Sequence, residues 1–376
     1  MNTPLCTTDG TALEDSARRL LAPGPFGYVA GGAGSGATVR ANREAFDRWR
    51  IVPRMLRGAH VRDLGTTLFG ERLPAPVLLA PVGVQSIVHP DGELASARAA
   101  AKHGLPFVIS TMSSYSLEQI AAQSDGPRWF QLYWPNDDEV CLSLLRRARH
   151  AGCTTLVVTL DNWTFGWRTA DLDNDYSPAA QGIGTATAFS DPVFRSKLAR
   201  PPEDDRQAAI AEWKAMFTGV DRTWDEVAFL RQNWPGPLVL KGILHPDDAL
   251  KAVDAGADGV VVSNHGGRQV DGAVAALDAL PDIRKAVGNR VSVLFDSGVR
   301  TGADLVKALC LGADAALIGR PYIYGLAHGG EAGVGQVLNH FLTEFDLNLA
   351  LSGVVKRSDL HREVLKTNRE VGLLLA

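Results

Sequence analysis

His265 and Arg268, three positions apart, lie in the most chemically loaded stretch of the chain, Ser263-Asn-His-Gly-Gly-Arg-Gln269. A histidine can take and return a proton near neutral pH, whereas an arginine stays cationic and offers a planar fork that matches a carboxylate. The pair suits a base working beside an anion clamp. Gly266 and Gly267 between them permit a sharp turn and the close approach of a flat ligand. Further polar residues stand at the ends of short apolar runs: Gln131-Leu-Tyr133, Thr159-Leu-Asp161, Lys241-Gly242, Asp296-Ser-Gly-Val-Arg300 and Gly319-Arg320. In the last two, backbone N–H groups and an arginine can neutralise a phosphate dianion, so a phosphorylated cofactor or substrate is expected. Lys241 would be costly to bury without an anion beside it. Histidines elsewhere have no acidic or cysteine ligands near them, and no metal site is expected.

Something must hold these groups together, and the pattern of apolar runs says what. From residue 76 onward, runs at Val77 to Val82, Phe107 to Thr111, Trp129 to Tyr133, Leu156 to Leu160, Leu238 to Leu240, Val260 to Val262, Val291 to Phe295 and Ala315 to Ile318 alternate with amphipathic stretches. Leu94 to His103, Glu139 to Ala151, Pro246 to Ala255 and Ala303 to Leu311 have helical spacing and finish near a glycine. Eight such repeats predict an α/β protein, a (β/α)8 TIM barrel, whose reacting groups sit at the C-terminal ends of the strands. An open doubly wound sheet is the alternative, but Ala80-Pro-Val-Gly-Val84 after the first run is no phosphate loop. Residues 1–75 read as a helical extension, from Leu13 to Leu21 and Ala37 to Trp49. Between the fourth run and the fifth lies far more chain than a loop and helix need. We read it as a lid at about 170–223, inserted after strand four in a barrel spanning 76–330, with C-terminal helices over 331–376. The whole of 1–376 is taken as a single domain. Trp134, Phe165 and Trp167 are candidates to line a cavity beneath the lid.

Bulk properties narrow the function classes. With 376 residues, 45% hydrophobic and 21% charged, the chain has the balance of a globular protein. A formal charge of -4 gives no reason to expect nucleic acid or an anionic membrane as partner. No window is apolar enough to span a bilayer and the start has no basic, then apolar, leader, so a cytoplasmic location is expected. Cys6, Cys141, Cys153 and Cys310 are scattered, as buried free thiols would be.

The stretch Ser263 to Gln269 resembles the active-site signature of the FMN-dependent 2-hydroxy acid oxidising family, and the likeness extends from about Tyr28 to Pro321. The resemblance implies FMN as cofactor, with Ala80, Pro81, Val82, Ser110, Gln131 and Thr159 around the flavin ring. It puts Lys241, with Ser263 and Asp296, among the cofactor contacts, Lys241 near N1 and the C2 carbonyl, and Gly298, Arg300, Gly319 and Arg320 at the phosphate. His265 would be the base, Asp161 its carboxylate partner, and Tyr133 a hydrogen bond to the substrate hydroxyl. Arg268, Arg168 and Tyr28 would hold the substrate carboxylate.

The reaction so implied is oxidation of an (S)-2-hydroxy acid to the 2-keto acid, with oxygen as acceptor, in a homo-oligomer of four or eight chains. Thr159 to Arg168, Leu240 to Ala249 and Phe295 to Asp304 are most similar to the lactate 2-monooxygenase branch, whose reaction ends in oxidative decarboxylation. Gly83, where many oxidases of the family carry alanine, is expected to leave space over the ring. A dehydrogenase or oxidase acting on a larger aryl or alkyl substrate is the alternative. An FMN-binding barrel isomerase or a non-catalytic flavin scaffold is the reading from another class.

Overall fold

Eight short, almost wholly apolar strands close into a parallel barrel. They are β1 Val77–Leu79, β2 Phe107–Ser110, β3 Arg128–Leu132, β4 Leu156–Thr159, β5 Leu238–Ile243, β6 Gly259–Val262, β7 Ser292–Phe295 and β8 Ala315–Ile318. The computed structural model describes residues 4–372, so the outer ends of the 1–376 span lie outside the described residues.

Both faces of each strand are covered, which is why the runs read as continuous rather than alternating. Leu78, Val108, Trp129, Val157, Val239, Val261, Leu294 and Leu317 fill the barrel interior. Their neighbours Leu79, Ile109, Phe130, Val158, Leu240, Val262, Phe295 and Ile318 pack outward against the helices. Register then gathers the polar strand ends at one rim: Ser110 lies opposite Gln131, and Thr159 opposite Lys241. The amphipathic stretches form helices Gly92–Lys102, Asp138–His150, Pro246–Asp254 and Gly302–Cys310. All four cysteines are buried free thiols.

The N-terminal extension holds α1 Leu13–Arg18, α2 Pro23–Ala30 and α3 Ala37–Asp47. It is not purely helical, and this corrects the sequence reading. Thr66–Leu68 and Glu71–Leu73 form a hairpin whose Leu68, Leu73 and Phe69 pack into the barrel interior, Phe69 5.6 Å from the Trp129 ring. The strands are three residues long, and their turn uses Phe69-Gly70, both at positive φ (51° and 84°), in place of the usual Asn-Gly signal. Trp49–Ile51 is a strand too, antiparallel to Leu365–Thr367 from the other end of the chain. Asn368 continues that seam, its backbone N–H and side-chain amide donating to the carbonyls of Arg48 and Asp47 at the end of α3 (2.9 and 3.0 Å).

After β8 one helical segment runs Arg320–Ser352, broken at Gly329 and Gly330, and the chain then turns through two short 3-10 segments into Leu365–Thr367. The expected C-terminal helices are therefore the end of one interrupted helix followed by a strand. No described helix is long and apolar enough to cross a membrane.

The long insertion is built of short helices, Thr169–Asp173, Ala186–Phe189, Pro192–Ser196 and Arg206–Phe217. Asp191, fully buried, anchors it: one oxygen caps Pro192–Ser196, and the other accepts from Ser143 (2.8 Å) and Arg147 (3.0 Å) on the barrel helix Asp138–His150.

Candidate active site

The chain leaves β6 through Ser263 and Asn264, both buried, and turns at His265, whose φ of +56° is unusual for a residue with a side chain. His265 Nδ1 lies 2.8 Å from Asp161 Oδ1, just past the end of β4. A carboxylate can only accept, so Nδ1 carries the proton and Nε2 is left with its lone pair. Burial would raise the Asp161 carboxyl, but His265 and Lys241 more than offset it and hold it below the usual carboxylate range. Burial pushes the His265 imidazole below its ordinary value, against the pull of Asp161 and with the help of Lys241 and Arg168. The imidazole is therefore neutral at pH 7 and can accept a proton.

Lys241, on β5, is buried, and its Nζ sits 3.0 Å from Asp296 Oδ2 and 3.0 Å from Ser263 Oγ. Burial lowers the ammonium, yet Asp296 and Asp161 outweigh it and raise its pKa. Asp296 thus provides the anion that a buried Lys241 needs beside it.

Arg268 is different. Its guanidinium lies 5.0 Å from the Tyr28 ring and donates to the carbonyls of Tyr28 and Gly31, with no carboxylate in ion-pair contact among the described residues. Burial, with repulsion from Arg168 and Arg320, pushes it down to about 9. Arg168 is buried beside it and donates to Gln269 Oε1 (2.8 Å). Gln269 in turn donates to the carbonyls of Asp161 (2.7 Å) and Thr164 (2.8 Å), joining the ends of β4 and β6. Burial raises the Tyr133 hydroxyl, opposed by a hydrogen bond with Asn162, so it stays protonated.

A third arginine lies beyond β7. Arg300 donates to the carbonyl of Val299, and burial together with Arg320 holds it down to about 10. Gly298 has φ +93°, and a Cβ there would meet the Asn42 carbonyl at 2.9 Å, so this turn requires glycine. Arg320 spans the gap to the histidine turn, donating to Gly266 (2.9 Å), Gly31 (2.8 Å) and Val29 (2.9 Å).

One cavity of about 660 Å³ brings these groups together, within the range of small-molecule sites. His265, Arg268, Arg168, Tyr28 and Tyr133 line it, as do Lys241, Asp296, Gly298, Arg300, Gly319 and Arg320, and Ala80, Pro81, Val82, Ser110 and Thr159. Asp161, Gln131 and Ser263 sit one layer behind. Gln131 accepts from Ser110 (3.2 Å) and donates to Thr159 (3.0 Å), and Ser263 accepts from Lys241 and from the His265 backbone. The donor set fits FMN: a phosphate would relieve the repulsion on half-buried Arg300, and hydroxyls and Lys241 border the same space.

Two expectations fail. Trp134 does not line the cavity; it stacks on Phe229 (6.2 Å) under Arg222, whereas Phe165 and Trp167 do stand at the mouth. Gly83 leaves no room over a ring, because a Cβ there would meet the Met112 carbonyl oxygen at 2.5 Å. Gly83→Ala should therefore lower stability by about 1 to 3 kcal/mol through overpacking, read as a drop in melting temperature. An unchanged melt would show that the space is free after all.

Sequence reasoning missed Asn162, Ser297 and the lid side chains Leu172, Tyr176, Ile183, Trp213 and Phe217, all of which line the cavity. Ser297, at φ +81°, accepts from the N–H groups of Asn264 (3.3 Å) and Gly266 (3.0 Å). Adjacency to Asp161 and Asp296 was the available signal for Asn162 and Ser297; the lid residues carried none.

Comparison with known proteins agrees with this geometry. Residues 17–367 match the model of the family described as FMN-dependent dehydrogenase. FMN-dependent alpha-hydroxy acid dehydrogenase qulF of Penicillium citrinum is 48% identical over 96% of this chain and 91% of its own. L-lactate oxidase of Lysinibacillus sphaericus is 41% identical over 97% and 93%. Among solved structures, that of mandelate oxidase is 40% identical, covers 96% of this chain and 98% of its own, and superposes with a TM-score of 0.85. The chain belongs to the FMN-dependent dehydrogenase family.

Proposed function

We propose that the chain oxidises an (S)-2-hydroxy acid to the 2-keto acid, with FMN as cofactor and oxygen as acceptor. The observation that carries this reading is a neutral, carboxylate-oriented imidazole lining the same cavity as a half-buried guanidinium with no carboxylate in ion-pair contact among the described residues.

Arg268, supported by Arg168 and Tyr28, grips the substrate carboxylate; hydrogen bonds to charged groups contribute about 1.5 to 3 kcal/mol each. Tyr133, protonated, donates to the substrate's hydroxyl oxygen. His265 takes a proton from the substrate at Nε2, and Asp161 stabilises the imidazolium that forms. FMN, when bound, supplies the two-electron acceptor. Lys241 provides positive charge at the cavity wall, and the helices of the insertion cover the mouth and limit water.

Peroxide and keto acid are the products we favour over decarboxylation, because the space at Gly83 that would have favoured the monooxygenase outcome is filled by Met112. On the lid side Leu172, Ile183, Trp213 and Phe217 give the cavity an apolar patch beside the polar Asp171, Asp175 and Lys214, and this patch supports a substrate with a side chain larger than methyl. The name of one relative, 4-hydroxymandelate oxidase of Amycolatopsis orientalis, 42% identical, is in keeping with that size. Anaerobic bleaching of the yellow holoenzyme by lactate, mandelate and longer alkyl hydroxy acids, followed by oxygen and product analysis, tests all three points. The expected result is faster bleaching by the larger acids, then peroxide with intact keto acid. A carboxylic acid one carbon shorter would identify a monooxygenase, and no bleaching by any hydroxy acid would end the proposal.

A further inference from the structure

The histidine turn does not hold itself. His265 sits at φ +56°, a region that a side chain makes unfavourable, and such a conformation persists only when its surroundings fix it. Much of that fixing comes from outside the barrel. Asn264, immediately before His265, and Asn42, on α3, are both buried (5% and 2% exposed) and face each other through their side-chain amides. Asn42 Nδ2 donates to Asn264 Oδ1 at 2.9 Å, and Asn264 Nδ2 donates to Asn42 Oδ1 at 2.7 Å.

The remaining valences of the pair hold both ends of the loop. Asn264 Oδ1 also accepts from Gly267 N–H (3.1 Å), and its Nδ2 donates to the Val274 carbonyl (3.1 Å). Asn42 Oδ1 also accepts from Ala276 N–H (3.2 Å), at the start of helix Ala276–Val287. Because the backbone N–H groups of Gly267 and Ala276 can only donate, both amide orientations follow from the network and cannot be flipped without losing bonds.

Two more contacts bind α3 to the same loop. Thr38 Oγ1 donates to the Val270 carbonyl (2.7 Å) and accepts from Ala273 N–H (2.9 Å), and Asp271 accepts from the N–H groups of Ser35 (2.6 Å) and Ala37 (2.7 Å). The packing leaves no slack, since a Cβ on Gly267 would lie 2.8 Å from the Val39 backbone.

We propose that Asn42 is a positioning residue for the reaction: from the N-terminal extension, it fixes through Asn264 the strained turn that aims His265 into the cavity. The inference rests on His265 being the base. Asn42 touches neither the substrate nor the cofactor, and it acts by keeping Nε2 where the substrate proton is.

A double-mutant cycle separates this from a purely structural role. Asn42→Ala and Asn42→Asp are each made in the wild-type and His265→Ala holoenzymes. Asn42→Asp keeps the size but turns the donor toward Asn264 Oδ1 into an acceptor. Flavin content, thermal melt, KM and the rate of anaerobic flavin bleaching by a 2-hydroxy acid are then measured. The expected result is retained flavin, KM changed less than about threefold, and bleaching slowed by about 10- to 10²-fold in either Asn42 variant. In the His265→Ala background the same substitutions should slow the residual rate by less than about twofold, because no base is left to aim. An equal fold-loss in both backgrounds would overturn the proposal, as would a wild-type rate in the single variants, or loss of fold and flavin in both. Failure of the underlying reading shows differently: His265→Ala alone would then bleach at the wild-type rate, and the inference would fall with it.

Discussion

His265→Ala holoenzyme should retain FMN and lose about 10² to 10⁴ in turnover, the range a positioned proton acceptor contributes. Retention follows because Gly298, Arg300 and Arg320, which we propose hold the phosphate, make no hydrogen bond to the imidazole. The pH profile sharpens the test. In the native enzyme the imidazole must be neutral, and burial holds its pKa below the ordinary histidine value. Activity should therefore be full at neutral pH and decline on the acid side as the ring takes up a proton, and that limb should vanish in His265→Ala. Turnover within about threefold of wild type on every 2-hydroxy acid would show that another group takes the proton.

Arg268→Lys should be the second large effect, and it should appear in KM more than in kcat. An ammonium cannot present two parallel N–H groups to a carboxylate, and losing one charged hydrogen bond of about 1.5 to 3 kcal/mol raises KM by about 10- to 10²-fold. Burial, Arg168 and Arg320 already push the native guanidinium down to about 9. A lysine, whose ordinary value is about two units lower than that of arginine, would be pushed down by the same environment and lose its charge at a lower pH than the native guanidinium. The variant's KM should thus begin to climb at a lower pH than that of the wild type. A KM for hydroxy acid indistinguishable from wild type would mean that the carboxylate binds elsewhere.

The barrel and its catalytic rim were legible because strands covered on both faces leave unbroken apolar runs, and the polar residue that ends each run has little reason to be there except chemistry. His265, Arg268, Tyr133 and Arg300 all come into one cavity on that logic. What stayed hidden has physical causes. Hairpin Thr66–Leu68 and Glu71–Leu73 is too short for a period to show, and its Phe69-Gly70 turn is stabilised by packing of half-buried Phe69 against the barrel interior, a tertiary effect. The lid residues Tyr176, Ile183 and Trp213 reach the cavity through packing of short helices that no local pattern specifies. The partner of Lys241 was hidden for a related reason: Asp296 is 55 positions away in sequence, on β7's end, and only closure of the barrel brings them to 3.0 Å. Gly83 misled because an absent methyl says nothing about which neighbour has moved into its place.

The seam between Trp49–Ile51 and Leu365–Thr367, with Asn368 capping the end of α3, has a bearing on biosynthesis. A nascent polypeptide that has already emerged through Ile318 possesses every barrel strand, yet the helix that buttresses its histidine turn still lacks its last clasp. Competence should consequently arrive late, once residues 365–368 have emerged, and a fusion placed directly after Asn368 would handicap an enzyme whose reactive centre it never approaches.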